Sequence, residues 1–255
     1  MTKSLVLKKT SKIASILFFG ICMALCISCA DLFSSLITVG GFSNITSGEI
    51  KQSEYKIYAI SLFETDTKIQ AKEMSDVTKR KNGAGFIWQG KTKYYVFASC
   101  YENKADAEKV QLNLTENHTS CTVVELVFSE IVIKAEVNDQ EKTALTSAVQ
   151  IYKNMYKKLY DLSVSIDTNL YTEIESKVLL SDIISDFTKT KTNFESLFNS
   201  KLTSDLLELK LSLSNVSSIL NSLSEFSSNE IPYTSQVKNT YFQILNEYNN
   251  LSKTL

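Results

Sequence analysis

Two short runs, Tyr55-Lys-Ile-Tyr-Ala-Ile-Ser-Leu62 and Lys93-Tyr-Tyr-Val-Phe-Ala-Ser99, decide how this chain reads. Both alternate and are rich in aromatic and β-branched residues, so each predicts a strand. Between them, Thr67 to Lys81 carries Ile69, Met74 and Val77 among lysines and glutamates, an amphipathic helix. Asn82-Gly-Ala-Gly85 stops that helix, because glycine reaches left-handed dihedrals without penalty. Phe86 to Gln89 reads as a short strand and Gly90-Lys91 as a tight turn. Asn103 is an N-cap for a helix through Leu114 that carries Ala107 and Val110, and Thr122 to Phe128 is a fourth strand. The order is β-α-β-β-α-β over residues 55–130. The fold class is therefore α+β, a split-βαβ (ferredoxin-like or RNP-like) domain with helices on one face of an antiparallel sheet.

Strand alternation assigns the two faces of that sheet. If Ile57, Ala59, Val96 and Ala98 meet the helices, then Lys56, Tyr58, Ile60, Tyr95, Phe97 and Ser99 line the opposite side, and Trp88 joins whichever face its register selects. Flat aromatic surfaces of this kind suit the apolar faces of sugar rings, and exposed apolar patches mark interaction sites. The competing expectation is that a following helical zone packs over this face and makes it core.

The two halves repeat one another: Tyr55-x-Ile57-x-Ala59 leads to a helix containing Ala71, and Tyr94-x-Val96-x-Ala98 leads to one containing Ala105 and Ala107. With Tyr101 and the hairpin Gly85-Phe86-Ile87-Trp88, this stretch resembles a SPOR domain, the sporulation-related repeat of bacterial envelope proteins. The resemblance covers about 30% of the chain. It departs from the family at Tyr58, where glutamine is usual, at Ile60 and Ser99, where glycines are usual, and at Tyr95, where arginine is usual. It implies binding to peptidoglycan glycan strands, particularly those stripped of stem peptides, in division or sporulation.

Working outward, Lys3, Lys8, Lys9 and Lys12 precede an uncharged run from Ile13 to Ala30, and Leu32 to Gly41 continues mostly apolar. That length reaches the lower limit for crossing a bilayer core of about 30 Å. The basic flank predicts a single-pass anchor in residues 1–42, with the N-terminus cytoplasmic and the remainder outside the cell membrane. A cleavable signal ending at Ser28-Cys29-Ala30 and a lipoprotein signal are the rival readings. Polar residues 43–54 read as a linker.

Residues 131–255 contain no glycine and one proline, Pro232, so they should be helical. Leu202, Leu206, Leu209, Leu213, Val216, Leu220 and Leu223 follow alternating spacings of four and three, the a/d seam of a bundle or coiled coil. Val237, Tyr241, Ile244, Tyr248, Leu251 and Leu255 repeat it, and looser stripes run from Leu145 to Leu170 and from Ile174 to Phe187. A self-contained bundle and self-association through the seam both fit.

Composition narrows the function classes. Lys plus Arg number 27 against 28 Asp plus Glu, so no electrostatic footprint for nucleic acid exists. A lone histidine, His118, argues against His-based metal sites and acid–base catalysis, and Asn82-Gly-Ala-Gly85 lacks the spacing of a phosphate loop. No catalytic residue, metal or cofactor is expected. RNA-recognition modules share the strand order, but their Gly-Phe pattern is missing. The expectation is a membrane-anchored, non-catalytic protein that binds cell-wall glycan. The alternative is an interaction protein assembled through its helices, with the α+β unit as spacer. Cys100 and Cys121 stand at strand ends in the extracytoplasmic part, where a disulfide is possible.

Overall fold

The computed structural model describes residues 46–255. The expected anchor and the start of the linker lie outside the described residues. The rest of the linker is not one. Thr46–Gln52 forms strand β1, paired antiparallel with β6 (Ile131–Val137), which was expected to be helical. Its bonding explains the change: Gly48 pairs with Ala135 and Ile50 with Ile133, and Ile50, Ile131, Ile133 and Val137 are buried. A short apolar alternation within a polar stretch was enough to make a ribbon.

The second sheet carries the expected order of elements. It comprises β2 (Tyr55–Thr65), helix α1 (Lys68–Arg80), β3 (Phe86–Gln89), β4 (Tyr94–Tyr101), helix α2 (Lys104–Glu116) and β5 (Thr122–Phe128). Spatially the strands run β3-β4-β2-β5, all antiparallel. Thr67 caps α1 and Asn103 caps α2, each accepting a bond from a first-turn N–H, which satisfies one of the orphan donors at a helix start.

The inward side of α1 is not the expected Ile69–Met74–Val77 stripe. Ile69 is 75% exposed, and the helix instead buries Ala71, Ser75 and Thr78, with the Ser75 hydroxyl donating to the Gly85 carbonyl. Small residues let the helix axis come close to the sheet, and the buried hydroxyls find backbone acceptors, so they cost little. Gly85 holds φ at +59°, and a Cβ there would stand 2.5 Å from the Ser75 carbonyl oxygen. Gly85→Ala should therefore lower the melting temperature by several degrees, because both the left-handed backbone and the contact oppose a side chain.

Four helices follow: α3 (Asp139–Asp167), α4 (Glu173–Phe198), α5 (Ser204–Ser224) and α6 (Tyr233–Thr254). The leucine seam of α5 is buried from Leu206 to Leu223, while Leu202 precedes the helix and stays partly exposed. Along α6, Val237, Tyr241, Ile244, Tyr248 and Leu251 are buried as their spacing predicts. Phe242 and Leu245, outside that seam, are fully buried as well. A helix that is apolar on more than one face must be covered on more than one face. In α6, helices α3 and α5 cover one side and the sheet covers another.

Asn44–Leu255 consequently fold as one compact unit with a continuous core. The division into an α+β domain ending at residue 130 and a separate helical region does not describe the packing. Helix α6 is fastened to the α1–β3 loop by three bonds. The Ser235 hydroxyl donates to the Gly83 carbonyl at 2.6 Å, the Asn239 amide to Ala84 at 2.9 Å, and the Lys238 ammonium to Asn82 at 2.9 Å.

The start of α3 is held by a reciprocal cap, with Asn138 accepting from the Glu141 N–H at 2.9 Å and Glu141 accepting from the Asn138 N–H at 3.0 Å. The Lys201 ammonium bonds the other Glu141 oxygen, and these two donors hold the carboxyl below the usual carboxylate range. A depressed folded-state pKa adds stability that is present above the unfolded value of about 4.3 and lost as pH falls through the folded value. Acid unfolding of Glu141→Gln should therefore show a shallower loss of stability below about pH 4.3 than the parent, read by circular dichroism.

Candidate functional site

The six residues expected on one open face, and Trp88, expected on either, occupy two faces, and a pair of bulges is the reason. Ile60 pairs with Ser99, but Ser61 pairs with Phe97, so Ala98 is an extra residue in β4. One step further, Phe63 pairs with Val96, which leaves Leu62 extra in β2. Inserting one residue into a strand of period two sends every later side chain to the other face.

On the face toward the bundle, Tyr55, Ile57 and Ala59 of β2 therefore stand with Tyr95 and Phe97 of β4 and with Phe86 and Trp88 of β3. Ile60, Ser99 and Val96 fall on the face of α1 and α2, where Ile60, Val96, Ala71 and Ala107 are buried. Lys56 and Tyr58 share that second face. Lys56 is exposed and ion-paired with Glu125 at 2.9 Å, and Tyr58 is half-buried.

The aromatic face is covered where α6 crosses it. Phe242 stacks on Phe97 at 5.3 Å and on Phe86 at 5.5 Å, and Phe97 is fully buried. Tyr55 stacks on Phe128 at 4.8 Å and meets Tyr248 at 5.1 Å. Phe97, beneath α6, and Ile60, on the α1 and α2 side, are thus both core, and the expectation of a wholly open glycan face is corrected by the helices on either side of the sheet.

What remains open is the margin of this face. Trp88 and Tyr95 are directly paired across β3 and β4, and both are half-buried. They continue the ladder outward from Phe97, with Trp88 at 6.3 Å and Tyr95 at 6.3 Å from its ring. Among the described residues, strand β3 is the last strand of the sheet and its outer backbone edge carries no strand partner. Glu64, which pairs with Tyr95, is bonded to the Lys93 ammonium at 2.5 Å. Gly90 shapes this margin. Its N–H closes the turn onto the Lys93 carbonyl at 2.8 Å, and a Cβ there would lie 2.8 Å from the Tyr95 ring. Absence of a side chain at residue 90 thus allows Tyr95 to rest over the turn.

The groups most apt for chemistry are placed elsewhere. Cys100 is buried, with its sulfur 3.8 Å from the Tyr156 hydroxyl, and burial pushes the thiol well up. Cys121 is half-buried near the Gln111 carbonyl, and desolvation raises it too. Both thiols are free, so the possible disulfide is not formed, and neither sits as a thiolate nucleophile would. His118 lies in the α2–β5 turn with φ at +59°. Among the described residues, no group of three or more His, Cys, Asp and Glu side chains is arranged to hold a metal, and no helix is long and apolar enough to cross a membrane.

No protein-family model, no curated protein sequence and no solved structure matches the chain.

Proposed function

We propose that this chain is a non-catalytic protein of the bacterial cell envelope that holds cell-wall glycan strands. Residues 1–42 tether it with the N-terminus cytoplasmic, and its body works outside the membrane, in division or sporulation. The glycan contact is the Trp88–Tyr95 margin, narrowed from the seven candidate residues of the sequence reading. One observation carries this reading: two large aromatic side chains stand side by side, half open, at the last of the described strands of the sheet, beside the Lys93–Glu64 pair. Sugar rings need a flat apolar partner and nearby polar groups for their hydroxyls, and the margin supplies both. The SPOR-like strand motifs support the same ligand class.

Full-length chain in a non-ionic detergent should sediment with insoluble peptidoglycan, more so after the stem peptides are removed. Trp88→Ala and Tyr95→Ala should each weaken retention about tenfold, equivalent to about 1.4 kcal/mol of contact, in protein whose circular dichroism at the assay temperature remains that of the folded parent. Retention that survives both changes would move the contact elsewhere.

A second reading is assembly through the helices. It is favoured by Ile174 and Val178, four residues apart on α4 and 78% and 63% exposed, with Leu170 of the preceding turn 66% exposed. Sedimentation velocity decides it: Ile174→Glu would turn a self-associating chain into a monomer.

A further inference from the structure

A cavity of ≈ 540 Å³ opens between the second half of α1, the end of β2 and the turn that joins α2 to β5. That volume suits a small organic molecule, and pockets for such molecules combine an apolar lining with a few convergent polar groups. The apolar wall is Leu62, Phe63 and Val77, none of them buried. Leu62 is the extra residue of the β2 bulge, and bulges re-aim side chains beside functional sites. The sheet also stops short here. Strand β5 pairs with β2 only as far as Ser61, so beyond Ser61 that edge of β2 carries no strand partner among the described residues.

The turn supplies a second, independent observation. The His118 N–H donates to the Thr115 carbonyl at 3.0 Å and the Thr119 N–H to the Leu114 carbonyl at 2.8 Å, which closes α2 with His118 held at φ +59°. That position after a helix usually takes glycine, because a side chain strains the left-handed backbone. Here the chain's one histidine is kept there against the strain, and it lines the cavity. Outliers of this kind gather at ligand clamps.

Charge decides what would bind. On the rim, Glu64 is paired with the Lys93 ammonium at 2.5 Å. Lys81, the residue that ends α1, makes no ion pair among the described residues. The side chains of Lys81, His118, Thr119 and Ser120 all line the cavity, and none has a hydrogen-bond partner among the described residues. Lys79 and Arg80, in the last turn of α1, add positive charge at the same end. One uncompensated ammonium matches one negative charge, whereas a phosphomonoester brings nearly two.

We propose that this cavity binds a small monocarboxylate with a compact hydrocarbon body. The hydrocarbon lies on Leu62, Phe63 and Val77, the Lys81 ammonium pairs with the carboxylate, and the His118 ring and the Thr119 and Ser120 hydroxyls donate to its oxygens. The site uses neither Trp88 nor Tyr95 and stands or falls without the glycan reading.

The test uses full-length chain in a non-ionic detergent at low salt. Phenylacetate, its neutral counterpart phenylacetamide, and hexanoate are titrated by calorimetry, with amide NMR shifts to locate binding. Phenylacetate or hexanoate should bind saturably and shift the amides of Leu62, Val77, His118 and Thr119, and phenylacetamide should bind about tenfold more weakly than phenylacetate, the loss expected for one charge-assisted contact. Tighter binding of hexanoate would assign the site to aliphatic acids, and tighter binding of phenylacetate to aromatic ones. Lys81→Met changes an exposed side chain and His118→Gly relieves the left-handed strain, so both variants should stay folded by circular dichroism while binding about tenfold more weakly. No saturable binding of either acid, equal binding of the amide, or binding unchanged in either variant would overturn the proposal.

Discussion

Phe97→Ala is expected to lower the stability of the chain by about 3–5 kcal/mol, the range for removing a core phenylalanine. Phe97 has no exposed surface and stacks on Phe242 at 5.3 Å, with Trp88 and Tyr95 on its flanks. Phe242→Ala should cost a similar amount, since its ring lies between Phe86 and Phe97. The two changes touch, so their sum should exceed the loss in the double variant. Denaturant melts followed by circular dichroism measure all three. A melt of Phe97→Ala that matches the parent would mean that α6 does not lie on the sheet.

The second large effect is in the helical layers. Leu213→Ala should cost roughly 2–5 kcal/mol, because Leu213 is fully buried in the middle of the α5 seam and its neighbours Leu209 and Val216 are equally closed off. Leu202→Ala, two residues before the helix begins, should cost far less, because Leu202 is partly exposed. The contrast between two leucines of one sequence pattern tests the packing and not merely the residue type.

Much of this fold could be read from residue patterns, and the failures have physical causes. The strands at Phe86–Gln89 and Thr122–Phe128, the Asn103 cap and the α5 and α6 seams follow from alternation, capping chemistry and helical spacing, all of them local. The bulges at Ala98 and Leu62 are not local: they exist only as a mismatch between paired strands, so alternation read along one strand put Tyr95 and Ser99 on the same face. The sandwiching of α6 did leave a signal. Phe242 and Leu245 lie off the seam, and Ser235 and Asn239 are small polar residues facing the Gly83 and Ala84 carbonyls. Their apolar and polar partners are more than a hundred residues away, which is why the seam alone suggested a self-contained bundle. The ribbon of β1 and β6 was hidden for the same reason, since each strand is marginal without its partner.

For the candidate site, alternation found Trp88 and Tyr95, but it could not separate them from Phe97, because burial depends on the helix above.

Trp88 is the chain's one tryptophan, so its fluorescence reports on the proposed glycan margin without interference. The most direct measurement is acrylamide quenching of full-length chain in detergent, with and without soluble glycan strands freed of stem peptides. The account predicts that saturating glycan protects Trp88 from the quencher and that Tyr95→Ala abolishes the protection in protein that circular dichroism shows still folded at the assay temperature. Quenching that stays the same at every glycan concentration would contradict it.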